Sequence, residues 1–184
     1  MAVLRGARMG WNMEADDHHL GIARDNAHTG WVRFAEEIPW HLSSPNNASN
    51  AGTLDLQPWI DRIALCRKYG QRAIVIAQGV PRQCNTGAGS SDAEAAANGG
   101  DGEWHWHANT SGGRTLFASY CVALAGLLDP DLDVLEIGST ELNIHQFNHG
   151  DQSAAEVGAE IAVAITAVRA AHPLVKLKIG RAHV

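Results

Sequence analysis

The sequence predicts an α/β fold, a partial (β/α)8 TIM barrel running from a first strand to a fifth. Short apolar runs of strand length alternate with amphipathic helical stretches, an order that argues for a parallel sheet covered by helices. The segments after the strands are long and those after the helices short, the asymmetry of a barrel whose functional loops gather at one end. Strand starts near residues 7, 31, 73, 134 and 174 are about 42 residues apart on average. Eight such units need roughly 330 residues, within the range of barrels with inserted loops. A doubly wound sheet shares the alternation, but its phosphate loop is missing: Trp11-Asn12-Met13-Glu14 follows the first run instead of GxGxxG.

The first strand is expected over residues 7–12 and a first helix between 17 and 29, ended by Gly30. A second strand over Trp31–Phe34 precedes a helix from about 57 to 69. There Asp55 is placed to cap, Pro58 suits the first turn, and Gly70 supplies a left-handed end. Ile60, Ile63 and Ala64 form its inner face, Arg67 and Lys68 its outer one. A third strand over 73–77 leads to a helix over 114–128, with Leu116, Phe117, Tyr120, Leu124, Leu127 and Leu128 on one side and Asp129-Pro130 at its close. Val134–Ile137 is the fourth strand. The clearest periodicity follows over Ala154–Ala171, where Val157, Ile161, Ala164, Ile165 and Val168 recur at three- and four-residue steps. Ser153 and Glu156 make a capping-box pattern at its start and His172-Pro173 stops it. A fifth strand is expected over 174–177. Residues 43–53 and 84–102, rich in Gly, Ala, Ser and Asn, read as loops after strands.

Of 184 residues, 45% are apolar, and 14 basic side chains stand against 20 acidic ones for a net charge of −6. That is enough apolar material for one sizeable core. Clustered Lys and Arg for phosphate neutralisation are missing, so no nucleic-acid partner is expected. No apolar run approaches the roughly 18 residues of a span, so no membrane partner is expected. MAVLRGARMG lacks the apolar centre of a secretory signal. Cys66, Cys84 and Cys121, odd in number and scattered, read as unpaired thiols. His105-Trp106-His107 and the pair His145 and His149 invite a metal reading, but neither has a Cys or carboxylate at ligand spacing. Surface histidines are expected, with no metal and no cofactor. IGRAHV at 179–184 is what ATC GGA AGA GCA CAC GTC encodes, a string that resembles a sequencing-library adapter. These residues are therefore set apart from the barrel portion over 1–178.

Residues 134–143 read VLEIGSTELN. This segment resembles the fourth-strand signature of the retaining glycoside hydrolases with (β/α)8 barrels, in which the strand ends in a pattern such as EIGNEPN or EIGNELN. The resemblance implies that Glu141 is the general acid/base, with Thr140 and Asn143 beside it as substrate contacts. Ser139-Thr140 stands where the family has a single Asn, and a bulge at the strand end would absorb the extra residue. Trp31-Val32-Arg33 is similar to the family's second strand, whose Arg lies near the nucleophile and holds it ionised. Residues 57–69 and 72–79 are similar to its second helix and third strand.

Glycoside hydrolysis needs two carboxyl groups, about 5–5.5 Å apart in retaining enzymes, one to protonate the leaving oxygen and one to attack the sugar carbon. Glu136 and Glu141 do not suit each other: five residues of extended strand span roughly 16 Å, and an odd separation sends them to opposite faces unless a bulge intervenes. In the resembling family the nucleophile is a Glu of the seventh strand, which this stretch does not reach. The chain is therefore expected to keep the acid/base and lack turnover. Arg33, inside an apolar strand, needs a carboxylate partner, structural or catalytic. Trp40 and His41 follow the second strand and suit sugar binding, by stacking and by hydrogen bonds to hydroxyls; a core Trp is the plain alternative. Trp104 and Trp106 are further platforms. The expected partners are a carbohydrate substrate and, through exposed barrel edges, other copies of the chain. Two other readings stay open, a metal-dependent barrel hydrolase or isomerase using the histidines and a non-catalytic sugar-binding half-barrel.

Overall fold

The computed structural model describes residues 10–12, 30–34, 54, 56–77, 108, 110–138 and 153–179. Its strands are β1 (Gly10–Asn12), β2 (Trp31–Phe34), β3 (Arg72–Ala77), β4 (Val134–Ile137) and β5 (Lys176–Ile179). Helix α1 (Gln57–Lys68) joins β2 to β3, α2 (Ser111–Ala125) joins β3 to β4, and α3 (Ala154–Ala171) joins β4 to β5. The five strands form one sheet in sequential order, and every neighbouring pair is parallel.

That order decides where the helices go. Right-handed crossovers that always step the same way lay every helix on one face, whereas a doubly wound sheet reverses its order and is covered on both. The described strands show no reversal. Val32, Ala73, Val75, Ala77, Leu135 and Ile137 pack in a single core with Trp59 and Ile63 of α1, Phe117 and Leu124 of α2, and Val157 and Ile161 of α3. The two-residue period of a strand sends the alternate residues to the other face. There the register aligns Arg33 with Ile74, Ile76 with Glu136, and Glu136 with Lys178. The architecture is compatible with part of a barrel, one face apolar under helices and the other carrying charge.

Helix boundaries follow local chemistry, with some shifts. α3 has the expected limits, and both capping-box bonds are made: Ser153 Oγ accepts the Glu156 N–H at 3.3 Å, and Glu156 Oε2 accepts the Ser153 N–H at 2.8 Å. α1 is capped by Leu56 without a side-chain bond, and Asp55 lies outside the described residues. Its buried side is Trp59, Ile63 and Cys66, while Ile60 is 43% exposed, because the large indole sets which stripe turns inward. α2 begins and ends three residues before the expected limits. Thr110 Oγ1 accepts the Gly113 N–H at 2.9 Å, a cap that offsets the poor propensity of two glycines in the first turn. Leu127 and Leu128 consequently fall in the turn beyond it. The last strand also lies further on than expected. His172 to Val175 form a turn closed by the Val175 N–H on the His172 carbonyl at 3.2 Å, which leaves Leu174 in solvent and starts β5 at Lys176. Ile179 is thus the final residue of β5.

The expected first helix, residues 7–9 of the first strand and the loops over 43–53 and 84–102 lie outside the described residues. At the N-terminal edge of the sheet, fully buried Asp133 accepts hydrogen bonds from the Ala73 N–H at 2.8 Å and the Asp129 N–H at 3.0 Å and pairs with Arg67. Arg67 also donates to the Gln71 carbonyl at 3.1 Å. One carboxylate thereby joins the end of α1, the start of β3 and the turn into β4, and its charge is matched where it is buried. Cys66 and Cys121 are buried. Burial pushes the Cys121 thiol well above its ordinary range, and the nearby charge of Glu160 adds to this, so it stays protonated and inert. Among the described residues no helix is long and apolar enough to cross a membrane.

Candidate functional site

The strand-to-helix connections all leave from the C-terminal edge of the sheet, where β2 ends at Phe34, β3 at Ala77 and β4 at Ile137. Parallel α/β folds bind ligands at this edge, because only there do several long connections converge on strand ends. The end of β4 is built around Gly138. Its φ of 89° lies in the left-handed region, its N–H donates to the Ala77 carbonyl at 3.0 Å, and a Cβ there would sit 3.4 Å from Ile161 Cδ1. Glycine is therefore required for the chain to leave the sheet while staying bonded to β3 and packed against α3.

One layer below that edge, on the face opposite the described helices, lies a charged cluster drawn from three strands. Glu136 of β4 is fully buried. Arg33 of β2, whose side chain is 17% exposed, donates from Nε to Glu136 Oε2 and from Nη2 to Oε1, both at 2.9 Å. Lys178 of β5, 43% exposed, donates from Nζ to Oε2 at 2.8 Å. The Arg33 side chain has to cross β3 to reach β4, a separation of roughly 10 Å between strand axes. The two-point geometry is the strong form of an arginine–carboxylate contact. Burial by itself raises the Glu136 carboxyl, but the hydrogen bonds and charges of Arg33 and Lys178 outweigh it and hold the group below the usual carboxylate range. Such a carboxylate is ionised at neutral pH and has donors on both oxygens. It is neither a proton donor nor an available nucleophile, and its chemistry here is to fix charge and position.

Of the residues singled out in the sequence, Arg33 is placed, and the carboxylate it meets is Glu136. Trp40, His41, Thr140, Glu141 and Asn143 lie outside the described residues, as do Trp104, Trp106, His105, His107, His145 and His149. Among the described residues no group of three or more His, Cys, Asp or Glu is arranged to hold a metal ion. The cluster adds two members that sequence reasoning had not assigned to a site, Glu136 and Lys178. Their signal was present, since a charge at alternate positions of a short apolar strand (Leu-Glu-Ile, Lys-Leu-Lys-Ile) has to find a partner on one face.

No protein-family model matches the chain, and no curated protein matches it either. Among solved structures, the chain is similar to one described as the complex of virulence factor SghA with its substrate analog salicin. The likeness has a TM-score of 0.55 at 14% sequence identity and covers 87% of this chain. The chain spans about a third of that structure's length, 34%. At this identity the likeness speaks to fold.

Proposed function

We propose that the chain is the first part of a (β/α)8 glycoside hydrolase, running from the first strand to the fifth, whose intact form cleaves O-glycosidic bonds with retention. The observation that supports this best is the sequential parallel sheet with its described helices on one face, which needs further strands to close, joined to the structural likeness to SghA bound to salicin. Salicin is an aryl glucoside, so the neighbour points to the chemistry that VLEIGSTELN suggests. In this reading Glu141, three residues after Gly138, delivers a proton to the leaving oxygen and later takes one from water. Thr140, Asn143, Trp40 and His41 contact the sugar. Glu136, kept ionised by Arg33 and Lys178, anchors the end of β4 from which the acid/base segment departs. The attacking carboxylate comes from a strand beyond the fifth.

Salicin mixed with the purified chain is expected to remain intact. Azide in large excess supplies the missing nucleophile: it attacks the anomeric carbon, the bond to the phenolic oxygen breaks, and the Glu141 proton passes to the departing phenolate. The products are a glucosyl azide and salicyl alcohol, and Glu141→Gln is expected to abolish them. Release of salicyl alcohol without azide, azide-dependent release that survives Glu141→Gln, or no azide product from either protein overturns the reading.

A further inference from the structure

Two helix-to-strand turns meet at the N-terminal edge of the sheet, opposite the edge from which the long connections leave, and a cavity of about 260 Å³ opens between them. One lip is the end of α2 with the turn into β4, contributing Ala125, Leu128 and Pro130. The other is the end of α3 with the turn into β5, contributing Ala171 and Leu174. The His172 imidazole bridges the lips beside Gly126, where an added Cβ would meet its Cε1 at 3.5 Å. Each turn is closed by its own backbone bond, the Asp133 N–H on the Asp129 carbonyl at 2.8 Å and the Val175 N–H on the His172 carbonyl at 3.2 Å. The socket is therefore formed before anything enters it. A dry cavity of roughly 150 Å³ already takes a benzene molecule, so this one has room for an aliphatic side chain. Leu174 stands on its rim 77% exposed, the most exposed large apolar side chain among the described residues.

A single exposed leucine is ordinary. An apolar knob beside an apolar socket makes the surface complementary to itself, which is the condition for two-fold pairing of identical chains. The charges agree. Asp129 and Asp131 flank Pro130 on one lip, Arg169 and Lys176 stand beside the other, and all four are exposed. A two-fold axis along the cleft sets the acidic lip of one copy against the basic lip of the other. Exposed pairs of this kind add little affinity, but they fix register. We propose that the occupant of the socket is Leu174 of a second copy, each chain giving one leucine and receiving one. Nine residues line the socket, against about 20–30 a side in a standard interface, so the pairing is weak and reversible. It leaves the C-terminal edge open and does not depend on the carbohydrate reading.

Sedimentation equilibrium of the purified chain is expected to show monomer passing to dimer as concentration rises. Leu174→Asp is expected to weaken the dimer about a hundredfold or more, because each pair loses two buried leucines. Ala171→Phe, which fills the socket from an exposed position, is expected to weaken it as well. Ile179→Asp, at the far end of β5, is expected to change it far less. Melting curves check that each variant stays folded. Leu174→Asp keeps the socket and Ala171→Phe keeps the knob, so a mixture of the two permits one of the two insertions. Pairing between them is expected to return in part, read as fluorescence transfer between labelled chains, although neither variant pairs with itself. A monomer at every concentration, a dimer indifferent to Leu174→Asp, an equal loss in Ile179→Asp, or no pairing in the mixture each overturns the proposal.

Discussion

Glu136 shows why a buried carboxylate in a strand is informative. Its two oxygens take three donors from residues 103 and 42 positions away in sequence. Glu136→Gln removes the buried negative charge that Arg33 and Lys178 share. The variant is expected to lose about 3 kcal/mol of unfolding free energy at neutral pH, read from denaturant melts. The pH dependence has a definite sign. A carboxyl held below its ordinary range when folded stabilises the protein above the unfolded value near pH 4, and that stabilisation disappears as pH falls through the lower, folded value. The stability difference between the parent chain and Glu136→Gln should therefore shrink on acidification below about pH 4. A difference that stays constant down to pH 2 contradicts the clamp. The need of Arg33 for a carboxylate was legible in the sequence, because a lone charge in an apolar strand is costly. Which carboxylate was not, since partner choice depends on how strands far apart in the chain are laid side by side.

Elements were most legible where their signals are local. The limits of α3 follow from a five-residue apolar stripe, a capping box and a proline stop, all within the segment itself. Ser153→Ala removes the side chain that accepts the Glu156 N–H and also bonds Glu156 Oε2. It is expected to cost about 1 kcal/mol, measured as a lowered melting midpoint with unchanged helix content. A midpoint equal to that of the parent chain would show that packing against α2 alone holds the helix start. α2 was less legible, because Gly112 and Gly113 conceal a first turn that only the Thr110 cap reveals. The fifth strand was displaced by two residues for a similar reason. Leu174 and Val175 carry strand-forming side chains, but the proline-containing turn places them before the sheet, and Leu174 ends up 77% exposed.

The assembled sheet has consequences that no single element has. Among the described strands its order leaves β1 and β5 as edges, and three of the four residues of β5 are exposed. Open edges and an apolar rim at Leu174 and Ile179 favour pairing with another copy, while Lys176 and Lys178 oppose it through like charge. Weak, concentration-dependent self-association is expected, and it should strengthen with added salt as the lysine repulsion is screened. Sedimentation that reports a monomer at every concentration and salt level would contradict this. The sequence alone determined the alternation of strands and helices, most of their limits, and a fourth-strand segment that resembles a glycosidase signature, because periodicity, caps and stops act over a few neighbouring residues. Tertiary structure decided the strand order, the single face that takes the three described helices, and the meeting of Arg33, Glu136 and Lys178, because strand pairing joins residues that no local pattern connects.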